Sequence, residues 1–92
     1  MRKIELTRSF KRDYKRVLAN PRHRQLDPLL ASTMEMLARD VTLAPRFRDH
    51  LLTGDLKDHR ECHLKPDLLL VYTKPDDERV IFVRLGSHTE LF

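Results

Sequence analysis

Polar and apolar residues alternate over Lys3-Ile4-Glu5-Leu6, the spacing of a short half-buried strand. From Thr7 the period lengthens. Phe10, Tyr14, Val17 and Leu18 fall at i, i+4, i+7 and i+8, one stripe of a helix that Thr7 or Ser9 can cap and that runs to about Asn20. Lys11, Arg12, Lys15 and Arg16 cover its other side. Pro21 ends it, because proline disfavours the α conformation in the residue before it. A second helix is expected from Asp27-Pro28, an N-cap followed by proline, to about Arg39-Asp40. Leu26, Leu29, Leu30, Thr33, Met34 and Leu37 make its buried face. Only the polar link NPRHRQL separates the two, so they form a hairpin that needs an apolar sheet to cover.

The second half supplies that sheet. Residues 41–57 read as loop, punctuated by Pro45 and Gly54, and residues 59–64 as a strand. Leu68-Leu69-Leu70-Val71-Tyr72 is apolar on both faces and belongs at the sheet's centre. A turn at Pro75-Asp76-Asp77-Glu78 leads into a last strand, Val80–Leu85, and Gly86 releases the chain into a terminal loop. The predicted order is β-α-α-β-β-β. This is an α+β fold with a small antiparallel sheet, its last three strands a meander, packed against a two-helix hairpin.

Composition narrows the class. Ninety-two residues, 40% apolar and 35% charged, make a single domain over 1–92 with a modest core. No apolar run approaches the roughly 20 residues that cross a bilayer, and the N-terminus has no apolar signal core. No membrane partner is expected. Cys62 is the only cysteine, which fits a reducing, cytoplasmic setting. A nucleophilic Cys62 is the sharper reading and a small buried hydrophobe the commoner one. The net charge of +4 is unevenly spread, since residues 1–24 hold nine Lys and Arg against two acids. Such a block points to a polyanion, most simply nucleic acid, with Lys11, Arg12, Lys15 and Arg16 as its contacts; a merely solvated helix face is the alternative.

Candidate chemistry gathers between Arg46 and Tyr72. His50 and His63 flank the approach to Pro66-Asp67, and His88 waits near the end. Strand parity places His59, Glu61 and His63 on one face and Arg60, Cys62 and Leu64 on the other. Arg84 shares parity with Val80 and Phe82 and is expected to look out over the His63 surface. Histidines titrate near neutral pH, so two of them can supply a base and an acid without a metal. RNA carries its own nucleophile, the 2′-hydroxyl. His50, His63 and His88 could act on it, with Asp67 tuning one imidazole, Arg84 and Lys57 or Arg60 holding phosphate, and Phe92 stacking on a base. His23 and His59 read as surface residues. No metal site and no cofactor are expected.

The strings RDH, KPDLLLVY and RLGSHTELF, together with the element order, resemble the RelE/ParE toxin superfamily and its histidine-rich YafQ branch. The similarity runs through nearly the whole chain. It matches that branch at Asp49-His50, Gly54, Arg60, His63, Pro66-Asp67, Arg84, Gly86, His88 and Phe92, and departs at Leu68 and at Asp58-His59, which bear on codon preference and base stacking. The resemblance implies an mRNA interferase, a ribosome-dependent endoribonuclease that cuts mRNA in the A site. It implies a cognate antitoxin of RelB or DinJ type, with the free toxin a monomer. His50, His63, Asp67, His88 and Phe92 would form the active site, with Arg84 as phosphate support. A ParE-like protein that poisons DNA gyrase without catalysis would share the fold but need no histidine set. A plain nucleic-acid-binding module would need only the basic helix.

Overall fold

Five strands share one sheet, in the order β1-β5-β4-β3-β2, and the computed structural model describes all 92 residues. The strands are β1 (Lys3–Leu6), β2 (His50–Leu51), β3 (Arg60–Lys65), β4 (Leu68–Thr73) and β5 (Arg79–Gly86). Helices α1 (Arg8–Leu18) and α2 (Leu26–Ala38) cover one face, and a one-turn helix α3 (His88–Leu91) ends the chain. The β2-β3-β4-β5 run is antiparallel, as a meander requires. The sheet is nevertheless mixed, because β1 pairs parallel to β5, from Lys3 against Arg79 to Leu6 against Phe82. This corrects the wholly antiparallel expectation. The two-helix connection brings the chain into β2 running opposite to β1, and the three antiparallel steps from β2 to β5 restore the direction of β1.

Local signals explain the elements. Thr7 caps α1, its hydroxyl accepting the Phe10 N–H at 2.9 Å. Helix α2 begins at Leu26, one residue before the expected cap; Asp27 instead accepts a hydrogen bond from the Tyr14 hydroxyl, which fastens the hairpin. Asp40 ends α2 at φ +59°, and both Arg2 and Lys74 pair with its carboxylate. The core lies between the hairpin and the sheet: Phe10 and Val17 from α1, Leu26, Leu30 and Leu37 from α2, and Cys62, Leu70, Tyr72, Val80, Phe82 and Leu85 beneath them. Leu69 and Val71 are buried on the opposite face, so β4 is indeed central and apolar on both sides.

A carboxylate interrupts the core. Asp13 is 2% exposed on the sheet side of α1. Strand β1 ends opposite Phe82, leaving the last residues of β5 without a strand partner on that side. Side chains from the α1 segment complete that edge. The Thr7 hydroxyl donates to Val83 O at 2.8 Å, Asp13 accepts the Leu85 N–H at 3.0 Å, and Arg16 donates to Leu85 O at 3.0 Å. Asp13 also accepts from Arg84 at 2.7 Å and from Arg16 at 2.8 Å. Burial alone would push its carboxyl up. The bonds from Arg84, the Leu85 N–H and Arg16 outweigh that and hold it below the ordinary carboxylate range.

Removing this carboxylate leaves two guanidinium groups and a backbone N–H without their acceptor. Asp13→Ala should therefore cost about 2–3 kcal/mol, the lower end for a broken buried pair because both arginines keep access to water. In a domain of this size that is a fall in Tm on the order of 10 °C. The depressed carboxyl contributes stability above its unfolded-state pKa, and that part is lost as pH falls through the folded-state value. Urea unfolding at pH 7 and in acid checks both. An unchanged midpoint at pH 7 would mean that the edge is held by something else.

Candidate active site

The β2–β3 pairing sets His50 opposite Glu61. The His50 Nε2 lies 3.0 Å from Glu61 Oε1, and its Nδ1 lies 2.6 Å from the Arg48 carbonyl oxygen. Arg48 reaches that position by adopting a left-handed backbone, φ 48°, uncommon for a residue with a side chain. Its carbonyl can only accept, so Nδ1 carries a proton. Nε2 is the nitrogen left facing the Glu61 carboxyl. Glu61 is 5% exposed and its other oxygen has no partner, which makes the imidazole its main source of compensation. His50 thus stands on a two-residue edge strand rather than the expected loop, tied to a carboxylate outside the set that the sequence suggests.

His63 shares the Glu61 face of β3, and Cys62 and Leu64 face the core, as parity requires. The register carries that row onward: His63 pairs with Leu69, and Leu69 with Gly86. His88, two residues beyond Gly86, is therefore at the same end of the sheet, with His63 and Gly86 two strand spacings, roughly 10 Å, apart. It is the first residue of α3, not part of a terminal loop. Ser87 caps that helix in a reciprocal box with Glu90, a pattern the Ser-x-x-Glu spacing could have announced. The exposed His88 ring packs on Phe92, centroids 5.3 Å apart, and Phe92 is itself 52% exposed.

Two clefts open beside this row, divided by Lys65 and Pro66. One, about 540 Å³, is lined by Arg46, Arg48 and His63. The other, about 640 Å³, is lined by Arg22, His23, Asp67 and Ser87. Asp67 sits exposed in the β3–β4 turn, in the second cleft, and it is Glu61 that pairs with His50. His23, expected to be a plain surface residue, accepts a 3.3 Å contact from Lys65. Burial, Lys65 and Arg22 lower its pKa. His59 is half-buried, its Nδ1 without a partner.

The expected phosphate-binding residues divide. Arg84 does not look out over the His63 face: it is clasped by Asp13 through Nε at 2.7 Å and Nη2 at 3.3 Å. The register shift between Val71 and Tyr72 sets Arg84 opposite Val71, in the Glu61 row, and it is the pull of Asp13 on α1 that takes the guanidinium away from that face. Arg60 lies on the Cys62 side, bonded to Asp49 at 3.2 Å, and the Tyr72 hydroxyl donates to the same carboxylate at 2.6 Å. It fixes the segment that carries His50. Lys57 is exposed on the loop before β3. On α1, Lys11, Arg12 and Lys15 are exposed, whereas Arg16 is engaged by Asp13 and Glu90. Cys62 is fully enclosed and its thiol is pushed up to about 12, first by burial, so it is no nucleophile. No group of three His, Cys, Asp or Glu side chains is placed to hold a metal ion, and no helix is long and apolar enough to cross a membrane.

Residues 2–92 match the family described as the bacterial toxin of type II toxin-antitoxin system, YafQ. The mRNA interferase toxin YafQ of Escherichia coli strain K12 is 33% identical over 91 residues, covering 99% of this chain and 96% of that protein. Among solved structures, a copper-bound mutant toxin from Helicobacter pylori has a TM-score of 0.91 at 44% identity, with full coverage of both chains. The E. coli DinJ-YafQ complex gives 0.83 at 33% identity, covering 100% of this chain and 99% of that one. With the family pattern spanning almost the whole sequence, the chain belongs to the YafQ family of type II toxin–antitoxin toxins.

Proposed function

We propose that this toxin is a cytoplasmic, ribosome-dependent endoribonuclease that cleaves mRNA through its own 2′-hydroxyl, and that an antitoxin of the DinJ kind silences it. The mRNA interferase name of its E. coli relative and that relative's complex with DinJ support the activity class and the partner. One arrangement supports the mechanism: the register sets His63 and Gly86 two strands apart, and His88 follows two residues on at the same end of the sheet. One of these histidines would take the 2′-proton and the other would protonate the leaving 5′-oxygen, help worth roughly 10²–10⁴-fold. His50 plays a different part. Its Nε2 faces Glu61 and its Nδ1 the Arg48 carbonyl, so both ring nitrogens are engaged and it positions the site rather than serving as the base. Phe92 offers an exposed ring for a base, and Arg46, Arg48 and Lys65 provide the cations that Arg60 and Arg84 do not. Asp67 faces the strand leaving through the second cleft.

The first test is cleavage of a defined mRNA on translating ribosomes, with and without the antitoxin. Cleavage only on ribosomes, blocked by antitoxin, supports the proposal; gyrase poisoning without RNA cleavage would replace it with a ParE-like function.

The exposed cations of α1 suit ribosomal RNA. Reversing Lys11, Arg12 and Lys15 to glutamate should weaken ribosome binding and flatten its salt dependence, because fewer counterions are released. An unchanged slope in a binding titration over several salt concentrations would return these residues to a solvated helix face.

A further inference from the structure

Helix α3, which carries His88 and leads into Phe92, buries none of its residues. Its closing bonds, from Leu91 N–H to Ser87 O and from Phe92 N–H to His88 O, make barely one turn. A single turn does not hold itself in water, so contacts outside α3 must fix it over the end of β5.

Those contacts converge on one guanidinium. Arg16 Nε lies 3.0 Å from Glu90 Oε2, Nη1 lies 2.8 Å from Asp13 Oδ1, and Nη2 donates to Leu85 O at 3.0 Å. The second oxygen of Glu90 accepts the Ser87 N–H at 2.8 Å. Arg16 therefore joins α1, the end of β5 and α3. Gly86 makes the crossing possible: a Cβ there would lie 2.8 Å from Arg16 Nη2, 3.1 Å from Glu90 Oε1 and 3.2 Å from Leu91 Cδ2. An exposed ion pair is usually worth little, largely because two long side chains must be ordered to make it. Here Asp13 and Leu85 have already ordered the arginine, and the cap of α3 has ordered the glutamate.

We propose that Arg16 and Glu90 form a latch across Gly86 that sets the position of His88 and Phe92, so that both are positioning residues for RNA cleavage. This rests on the catalytic reading of His88 and takes Arg16 out of the ribosome-binding set.

The test compares Glu90→Ala, Glu90→Gln, Arg16→Met and the Arg16→Met/Glu90→Ala double variant. Two readouts are taken: hydrogen exchange at the Leu91 and Phe92 amides, and single-turnover cleavage on programmed ribosomes over a range of toxin concentrations. Glu90→Ala should speed exchange at both amides and lower the maximal rate about 10- to 100-fold, the usual penalty for a misplaced catalytic group. The half-saturating concentration should barely move. Glu90→Gln keeps an acceptor for the Ser87 N–H and should recover part of the rate. The double variant should lose clearly less than the sum of the two single losses, since both break the same Arg16–Glu90 contact. Unchanged exchange in every variant would show that the latch does not hold α3. Faster exchange at full rate, or fully additive losses, would show that it does not position His88. His88→Ala measured in parallel separates the two ideas. A wild-type rate there removes the catalytic reading of His88, while the exchange data still decide the latch.

Discussion

Replacing His88 with alanine should abolish RNA cleavage and growth inhibition and leave the fold intact. His88 is exposed, belongs to a helix with no buried residue, and packs its ring on Phe92 alone among the aromatic groups. Alanine is also the best helix former for that position, so the local backbone loses nothing. The chemistry loses one of its two proton-transfer groups, a factor of roughly 10²–10⁴. Circular dichroism and a urea midpoint read beside a cleavage assay decide it. A variant that still cleaves, or one that unfolds, ends the assignment of His88 as acid or base.

The second large effect belongs to the substrate. If a histidine activates the 2′-oxygen for in-line attack on the adjacent phosphorus, the products are a 2′,3′-cyclic phosphate, open to later hydrolysis, and a free 5′-hydroxyl. An mRNA carrying one 2′-O-methyl group at the cut site should enter the ribosome–toxin complex and remain whole. Mass spectrometry of the product ends distinguishes the two nucleophiles. A 5′-phosphate, or scission of the methylated RNA, would mean that water attacks, and His63 and His88 would then not be exchanging protons with the 2′- and 5′-oxygens.

The sequence was most legible where a signal is local and periodic. The Thr7 cap, the Phe10–Tyr14–Val17 stripe and the doubly apolar β4 all match the structure. Parity on β3 correctly parted Cys62 from His63. It could not foresee the fate of Arg84, because the acid that claims it, Asp13, is 71 residues away. Glu61 escaped notice for a similar reason. Only the pairing of a two-residue strand, too short to leave a pattern, brings His50 across to it. Asp67, adjacent to a proline and close to His63 in the chain, drew the role instead. Arg16 reads like its basic neighbours along α1, and nothing in its spacing separates the cation that faces water from the one that faces Glu90.

The parallel pairing of β1 with β5 has a consequence for the birth of the molecule. The first strand to leave the ribosomal tunnel has as its only sheet neighbour the last strand to be made. Until β5 emerges, Ile4 has no ladder to join and the Thr7–Arg16 segment has no edge to complete. Pairing between such distant segments carries a large loop-closure entropy and is slow to form. A nascent chain thus stays unassembled through nearly all of its synthesis. The end of the sheet that carries His63 and Gly86 is completed only when β5 is free to pair.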